Sequence, residues 1–212
     1  MIAMCDGSVL WGQVQATWFL DVNHFARVTP WLHTPMRLLT EYGVVMFAGL
    51  LLLSWWLARR DGDLRRVGIA LWAPIGALLA LGLNQFVVAV VAEPRPYAAF
   101  PHVLVLVARN GDYSFPSDHA VLAGAVAAGV LLVHRRLGIV AAVLAGLMAF
   151  TRVYVGVHFP LDVVAGVVLG GSVAVASHVV MARPLTRLVH VLVRTPLRPL
   201  LTSAAPPAAG LR

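Results

Sequence analysis

Long apolar runs alternate with short polar segments along most of this chain. Five of the runs approach or exceed the ~17–25 residues that an α-helix needs to cross a bilayer. They are Tyr42–Ala58, Val67–Ala92, Ser117–His134, Leu137–Val155 and Pro160–Ala182. The pattern predicts an all-α fold, a polytopic membrane helix bundle with about five transmembrane helices. The transmembrane core then spans residues 42–182.

The segment before this core has a different pattern. Residues 14–39 mix aromatic and polar side chains, which include Trp18, Phe19, Phe25, Trp31, Asp21, Arg27 and His33. An amphipathic helix at a membrane interface has this composition. We therefore predict an interfacial helix here, with a tilted partial span as the alternative.

The two ends of the chain are less informative. The first residues, MIAMCDGSVLWGQ, lack the basic region and the long apolar run of a cleavable signal peptide. The single cysteine, Cys5, cannot form an intrachain disulfide. We expect residues 1–182 to form one membrane domain and residues 183–212 to form a basic cytoplasmic tail. The end of this tail, SAAPPAAG, is expected to be disordered.

Composition and charge agree with a membrane protein. Of the 212 residues, 60 % are hydrophobic and 12 % are charged, which is more apolar surface than a soluble chain of this length can bury. The net charge of +7 could indicate nucleic-acid binding. The basic residues, however, form short clusters between apolar runs and not a continuous basic stripe. We therefore expect no nucleic-acid partner.

The positions of these basic clusters predict the orientation in the membrane. The clusters follow the first, third and fifth apolar runs, so they share one side of a five-helix bundle. Their members are Arg59, Arg60, Arg65, Arg66, His134, Arg135, Arg136, Arg183, Arg187, Arg194 and Arg198. By the positive-inside rule this side, together with the C-terminus, is cytoplasmic. The loops over residues 93–116 and 152–159 then face the outside.

The two outer loops contain most of the unusual polar chemistry. The first contains EPRPY (93–97) and ends in FPSDHA (115–120), and the second is TRVYVGVHFPLD (151–162). If the predicted helices pack as a bundle, the loops bring together a set of charged and imidazole side chains. The set is Arg95, His119, Arg152, His158 and Asp162.

The FPSDHA segment has the pattern of a helix start. Pro116 interrupts the preceding segment, and Ser117 is a preferred N-cap residue. Asp118 and His119 then lie in the first turn, where free backbone N–H groups form an anion site. The alternative is an ordinary capped helix whose His119 reaches water.

The second loop adds a histidine and a carboxylate at matching spacing. His158 precedes Asp162 by four residues, so the two side chains can meet around a helix start. A carboxylate on one imidazole nitrogen fixes the tautomer and leaves the other nitrogen free as a nucleophile. With Arg95 and Arg152 to hold phosphate oxygens, the set indicates phosphoryl transfer. Zinc bound by His119, His158 and Asp162 is the rival chemical interpretation.

At these residues the sequence resembles the type 2 phosphatidic acid phosphatase superfamily, membrane branch. The signature of that family has three blocks: Lys-x6-Arg-Pro, Pro-Ser-Gly-His and Ser-Arg-x5-His-x3-Asp. The matching residues are Arg95-Pro96 in the first, Pro116, Ser117 and His119 in the second, and Arg152, His158 and Asp162 in the third. Asp118 stands in place of the glycine, and Thr151 in place of the serine.

The resemblance implies a role for each matching residue. His158 is the expected nucleophile that forms a phosphohistidine, Asp162 orients it, and His119 is the general acid for the leaving group. The remaining residues are expected to bind the phosphate, and they are Arg95, Arg152, Ser117, Asp118 and Pro116. No metal ion and no other cofactor is expected.

The first block departs from the family pattern, because Val88 occupies the lysine position. Further candidate site residues are therefore Asn84, Gln85, Glu93 and Arg109, of which Arg109 is expected rather to be a solvated surface residue. The NQ pair, the PRPY segment and the SFPSDH block resemble one subgroup, the bacitracin-resistance type of undecaprenyl-diphosphate phosphatases.

The subgroup resemblance implies hydrolysis of a polyprenyl diphosphate to the monophosphate and phosphate, which recycles the cell-wall lipid carrier. The expected partners are this lipid substrate and membrane lipids. Alternatives are a phosphatase for phosphatidic acid, phosphatidylglycerol phosphate or a decaprenyl-phosphoryl sugar phosphate, a transporter or flippase, and a non-catalytic assembly protein. The polar residues lie at one bilayer edge, which argues against transport. The retention of His158 and Asp162 argues against a non-catalytic role.

Overall fold

The computed structural model describes residues 6–203, with side chains from residue 12 onward. Within this range the regular secondary structure is helical, so the predicted all-α fold is confirmed. The helices are α1 (Asp6–Val28), α2 (His33–Asp61), α3 (Leu64–Val91), α4 (Pro96–Ala99), α5 (Asp118–Val133), α6 (Arg135–Tyr154), α7 (Pro160–Leu192) and α8 (Arg198–Leu201), with a short 3-10 helix at Pro30–Leu32. Cys5 and the predicted disordered end of the tail, apart from its first residue Ser203, lie outside the described residues.

Each predicted apolar run lies within one helix, apart from single residues at the ends of three runs. In the described part of the chain, four segments are long and apolar enough to cross a membrane: Pro30–Asp61, Leu64–Ala99, Arg135–Tyr154 and Pro160–Leu192. The third predicted run forms α5, which has 16 residues and a length of about 24 Å, less than the ~30 Å of a bilayer core. Neighbouring helices surround α5, and most of its residues are buried, so it is the centre of the bundle.

Two helix boundaries differ from the predicted ones. Helix α2 begins at His33, inside the segment predicted as an interfacial helix. The helical conformation is interrupted at Thr29, and the 3-10 helix that begins with Pro30 leads into α2. Helix α7 continues to Leu192 through Pro184, ten residues beyond the predicted end at Ala182. At about 1.5 Å per residue α7 is about 50 Å long, so its C-terminal part extends beyond a ~30 Å hydrocarbon layer.

Small residues let α5 and α7 approach closely. A Cβ atom added to Gly166 would lie 2.9 Å from the Ser117 carbonyl oxygen, and one added to Gly170 would lie 2.9 Å from the Ala125 nitrogen. On the facing helix, Gly124 meets the backbone of Val167 in the same way. Glycine at these positions therefore brings the first turn of α5 against the first turns of α7.

The bundle has two chemically different ends. The C-terminal ends of α3 and α6 meet the N-terminal ends of α5 and α7 at one end, where Ser117 N donates to Asp162 O at 3.1 Å. At the other end, the α2–α3 turn packs against α8 in a cluster that includes Ala58, Val133 and Leu201. This second end also holds the basic clusters of the α2–α3 and α5–α6 junctions and the basic residues after Leu192. The polar residues of the first end lie away from it.

Helix α1 packs along the first end. Phe19 contacts Phe159 and Phe100, with ring centroids 5.5 and 6.4 Å away. Further along, Asn23 bonds both backbone polar groups of Leu104, at 2.8 and 3.0 Å. Helix α1 thereby covers the loop that connects α3 with α5.

Candidate active site

The start of α7 fixes the predicted His158–Asp162 pair. Gly156 has a φ of +85°, a left-handed conformation that glycine adopts without strain, and it turns the chain from α6 toward α7. Asp162 Oδ2 then accepts a hydrogen bond from the backbone N–H of Phe159 at 2.8 Å. The carboxylate therefore caps the helix start and cannot swing away from the preceding loop.

His158 lies between this carboxylate and an arginine. Its Nδ1 atom lies 3.4 Å from Asp162 Oδ2, and its Nε2 atom lies 3.3 Å from Arg95 Nη1. The tautomer with the proton on Nδ1 suits both neighbours, because Nδ1–H can donate to the carboxylate while Nε2 accepts from the guanidinium. Nε2 is then the nitrogen whose lone pair points into the space that Arg95 lines.

Ser114 completes the support of this pair, and the sequence did not single it out. Its hydroxyl donates to Asp162 Oδ2 and lies 3.4 Å from His158 Nδ1. Its backbone N–H donates to the Glu93 carbonyl oxygen at 2.8 Å. The serine is fully buried and belongs to the SFPSDH segment, directly before the predicted helix start in FPSDHA (115–120).

Burial and positive charge set the ionisation of His158. The imidazole is 2 % exposed, and this burial lowers its pKa well below the usual value. The charges of Arg152 and Arg95 lower the pKa further. The ring is therefore neutral at pH 7, which is the form that a nucleophile needs.

Two buried guanidinium groups face the same space. Arg95 and Arg152 are each 8 % exposed, and neither pairs with a carboxylate within residues 6–203. Arg95 is held by the carbonyl oxygens of Val157 at 3.2 Å and Asp112 at 3.0 Å, and Arg152 Nε has no hydrogen-bond partner in the described structure. Burial of unpaired cations is costly, so the pair forms a site for an anion.

The first turn of α5 supplies the remaining polar wall. Ser117 is the N-cap, and its buried hydroxyl has no partner among the described residues. His119 is half-buried and Asp118 is exposed, and both side chains line the same cavity as the arginines. The predicted helix start is therefore present, with its free N–H groups next to the cavity.

The polar cavity has a volume of about 450 Å³. The residues that line it are Gln85, Val88, Arg95, Asn110, Gly111, Asp112, Tyr113, Pro116, Asp118, His119, Arg152 and His158. Arg95, Arg152, His119 and His158, predicted from separate motifs, are thus brought to one cavity, with Asp162 behind His158.

The further candidate residues separate into two groups. Asn84 and Gln85 both donate to Asp118 Oδ1, at 2.7 and 2.8 Å, and Gln85 lines the polar cavity. Glu93 is half-buried outside the cavity, where it accepts from Gln15 at 3.2 Å. Arg109 is exposed, lies over the ring of Tyr97 at 5.4 Å and does not line the polar cavity.

The lysine position of the first motif is occupied by an apolar residue, Val88, in this protein. Val88 lines the polar cavity, one turn after Gln85 on the same face of α3.

A second opening of the site reaches α2, where Thr40 lines it beside Arg95 and Arg152. The Thr40 hydroxyl is buried without a partner in the described structure, and nothing in the local sequence marked it.

The rival zinc interpretation finds no support in the arrangement. Over residues 6–203, no three His, Cys, Asp or Glu side chains converge as a metal site. The Asp162 oxygen nearest His158 is already bonded by the Ser114 hydroxyl and the Phe159 N–H. The expectation that activity needs no metal stays a prediction.

A helical membrane bundle with a neutral buried histidine, an orienting carboxylate and two unpaired arginines defines the class of a membrane phosphotransfer enzyme. The family model of the PAP2 superfamily, the type 2 phosphatidic acid phosphatases that the motifs resemble, matches residues 70–185. These residues contain all of the side chains just named. The chain belongs to the PAP2 superfamily, and it is a phosphatase of the lipid-phosphate type.

Similar proteins agree with this assignment. Undecaprenyl-diphosphatase BcrC of Bacillus subtilis is 35 % identical over 138 residues, which cover 65 % of this chain and 69 % of the relative. An undecaprenyl-diphosphatase of Sulfolobus acidocaldarius is 38 % identical over 117 residues, covering 53 % and 54 %. The crystal structure of a PAP2 type phosphatidylglycerolphosphate phosphatase from Bacillus subtilis superimposes with a TM-score of 0.58 at 20 % identity, over 82 % of this chain and 94 % of that one. The last match shows the shared fold.

Proposed function

We propose that this protein hydrolyses a polyprenyl diphosphate to the monophosphate and inorganic phosphate, through a phosphohistidine on His158. The observation that carries the proposal is the position of His158, whose Nδ1 faces Asp162 while Nε2 faces Arg95, in a cavity that Arg152 also lines. The names of the BcrC-like relatives support the choice of a polyprenyl diphosphate among lipid phosphates.

The first chemical step transfers the terminal phosphoryl group. The lone pair of His158 Nε2 attacks the terminal phosphorus, and the bond from phosphorus to the bridging oxygen breaks. His119 gives a proton to that oxygen, so the polyprenyl monophosphate leaves. Arg95 and Arg152 hold the nonbridging oxygens, on which negative charge develops.

The second step returns the enzyme to its starting state. A water molecule attacks the phosphohistidine, the P–N bond breaks, and inorganic phosphate leaves. His119, now without its proton, accepts one from the water. Asp162 and Ser114 keep the ring of His158 in place through both steps, and the carboxylate stabilises the positive charge that the ring gains during transfer.

We also infer that the site faces the outside of the cytoplasmic membrane. The basic clusters at the α2–α3 and α5–α6 junctions lie at the end of the bundle opposite His158, and the positive-inside rule makes that end cytoplasmic. A diphosphate headgroup left outside by cell-wall polymerisation could then be hydrolysed without first crossing the apolar layer. The cytoplasmic position of the tail after residue 182 belongs to the same proposal.

The test is phosphate release by purified full-length protein from a panel of lipid phosphates. The panel contains polyprenyl diphosphates of several chain lengths, phosphatidic acid, phosphatidylglycerol phosphate and a decaprenyl-phosphoryl sugar phosphate. We expect the highest kcat/KM with a polyprenyl diphosphate and a 32P label trapped on His158 by rapid quenching. A higher kcat/KM with any of the other lipids would replace the proposed substrate, and an unlabelled but active protein would contradict the intermediate.

A further inference from the structure

Three polar side chains lie where the polar cavity meets an apolar groove. The groove has a volume of about 400 Å³ and runs between α2, α3 and α5, with Val44, Leu81, Gly82 and Leu122 in its walls. Gln85, Asp118 and His119 line both the groove and the polar cavity. The two spaces therefore join at these three side chains. Asp118 and the two amides that donate to it, Asn84 and Gln85, are called the polar collar.

The collar holds a carboxylate in one fixed position. Asp118 Oδ1 accepts hydrogen bonds from the adjacent amides of Asn84 and Gln85, at 2.7 and 2.8 Å. Asn84 is fully buried and also donates to the Pro116 carbonyl oxygen at 3.2 Å, which ties α3 to the start of α5. The exposed part of the Asp118 side chain faces the junction of cavity and groove.

The Asp118 carboxylate carries the same sign of charge as the phosphate that the site is expected to bind. The resembled motif has glycine at the position of Asp118 and lysine at the position of Val88. The present chain therefore has one negative charge more and one positive charge fewer near the reacting phosphate. A carboxylate repels a phosphate group, so phosphate binding, the function that the motif implies for Asp118, does not account for a charge fixed here.

Headgroups of two lengths place different groups at the collar. When a lipid monophosphate presents its only phosphorus to His158, its first carbon atoms have to pass the collar. Contact with hydrocarbon strips water from the Asp118 carboxylate and offers no hydrogen bond in return, which is unfavourable. When a lipid diphosphate presents its terminal phosphorus, the inner phosphate lies at the collar and the hydrocarbon begins beyond it, in the groove.

The inner phosphate suits the collar better than an alkyl chain does. His119 and the free N–H groups at the start of α5 lie beside it, and they offset the repulsion between the phosphate and Asp118. The phosphate also keeps water around the carboxylate. We propose that Asp118, held by Asn84 and Gln85, makes the site select lipid diphosphates over lipid monophosphates, so that the enzyme does not hydrolyse its own product. The inference rests on the proposed function.

The experiment compares a polyprenyl diphosphate with the monophosphate of the same chain, for the full-length protein in one detergent. The measured quantity is the kcat/KM for the monophosphate divided by the kcat/KM for the diphosphate. In the Asp118→Gly variant we expect this ratio to rise at least about tenfold, which corresponds to a change of about 1.36 kcal/mol in the relative activation barriers. Asp118→Asn keeps the hydrogen-bond acceptor and removes the charge, so its ratio should rise less. Asp112→Asn is the matched control, because Asp112 lines the polar cavity but not the groove.

Each outcome decides the inference. Ratios of Asp118→Gly and wild type within about twofold of each other would overturn it, as would an equal shift in Asp112→Asn. If Asp118→Gly does not fold, the inhibition constant of the monophosphate lipid on wild type and Asp118→Asn decides, and tighter inhibition of the variant is expected. Wild-type protein that releases phosphate only from other lipids would instead refute the proposed function, and the collar with it.

Discussion

The Nδ1 atom of His158 lies 3.4 Å from the Oδ2 atom of Asp162, four residues further along the chain. The same oxygen accepts hydrogen bonds from the Phe159 N–H and from the Ser114 hydroxyl. One carboxylate oxygen thus joins the start of α7, the nucleophile candidate and the loop before α5. The contacts with His158 and Ser114 each have a measurable consequence.

Replacement of His158 should abolish turnover. His158→Ala removes the proposed nucleophile, so we expect at least about a 10³-fold loss of kcat in a protein that still purifies as a folded membrane protein. Asp162→Asn should lose less, because it keeps the nucleophile but loses charge and orientation. The matched control is His102→Ala, since His102 is exposed and does not line the polar cavity. Multiple turnover by folded His158→Ala would contradict the assignment.

Removal of the Ser114 hydroxyl should slow catalysis without loss of substrate binding. A hydrogen bond to a charged group contributes about 1.5–3 kcal/mol, which corresponds to a decrease in kcat of about 10- to 150-fold in Ser114→Ala. KM should stay close to the wild-type value, because Ser114 does not line the polar cavity. Ser177→Ala, which removes a hydroxyl from the middle of α7, is the control. A kcat equal to wild type in Ser114→Ala would rule out the support role.

The pH dependence should follow the lowered pKa of His158. A depressed pKa means that the imidazole stays neutral until the pH falls well below its usual value of 6.5. We therefore expect the acid limb of the kcat/KM profile to lie below pH 6.5, with activity lost as the pH decreases through the pKa of the free enzyme. The profile should be measured with two substrates whose phosphate groups differ in pKa. An acid limb that stays at the same pH for both belongs to the enzyme and not to the substrate. A shared acid limb above 6.5 is the contrary result.

Activity should not require a divalent metal. Arg95, Arg152 and the N-terminus of α5 already supply positive charge to the phosphate site. Phosphate release should therefore be unchanged after treatment with a chelator and passage through a desalting column. If activity disappears and a single divalent ion restores it, Asp118 and Glu93 become the first carboxylates to examine as ligands.

The orientation can be tested with single cysteines after replacement of Cys5. Both Asp112, beside the polar cavity, and Asp61, in the α2–α3 turn, are exposed. In intact cells we expect a membrane-impermeant thiol reagent to label a cysteine at position 112 and not one at position 61. Labelling of both after permeabilisation is the control. The reverse pattern in intact cells would place the site on the cytoplasmic face and favour newly made lipid phosphates as substrates.

The sequence by itself determined the helical membrane fold and indicated Arg95, His119, Arg152 and His158, which line one cavity. Apolar runs of membrane length specify helices because backbone polar groups in a bilayer have to bond within the segment. Short-range spacing likewise determined the pairing of His158 with Asp162, since four residues across a helix start bring the two side chains together.

Only the tertiary structure decided which remote side chains complete the site. Ser114, Thr40 and the Asn84–Asp118 contact depend on how α2, α3 and the loop before α5 pack against α7, and residues distant in sequence leave no periodic signal. The structure also places Arg109 away from the lining of the polar cavity, with its guanidinium over Tyr97. Close approach of α5 and α7 at Gly166 and Gly170 brings the separate motifs to one cavity, and this packing is a property of the bundle as a whole.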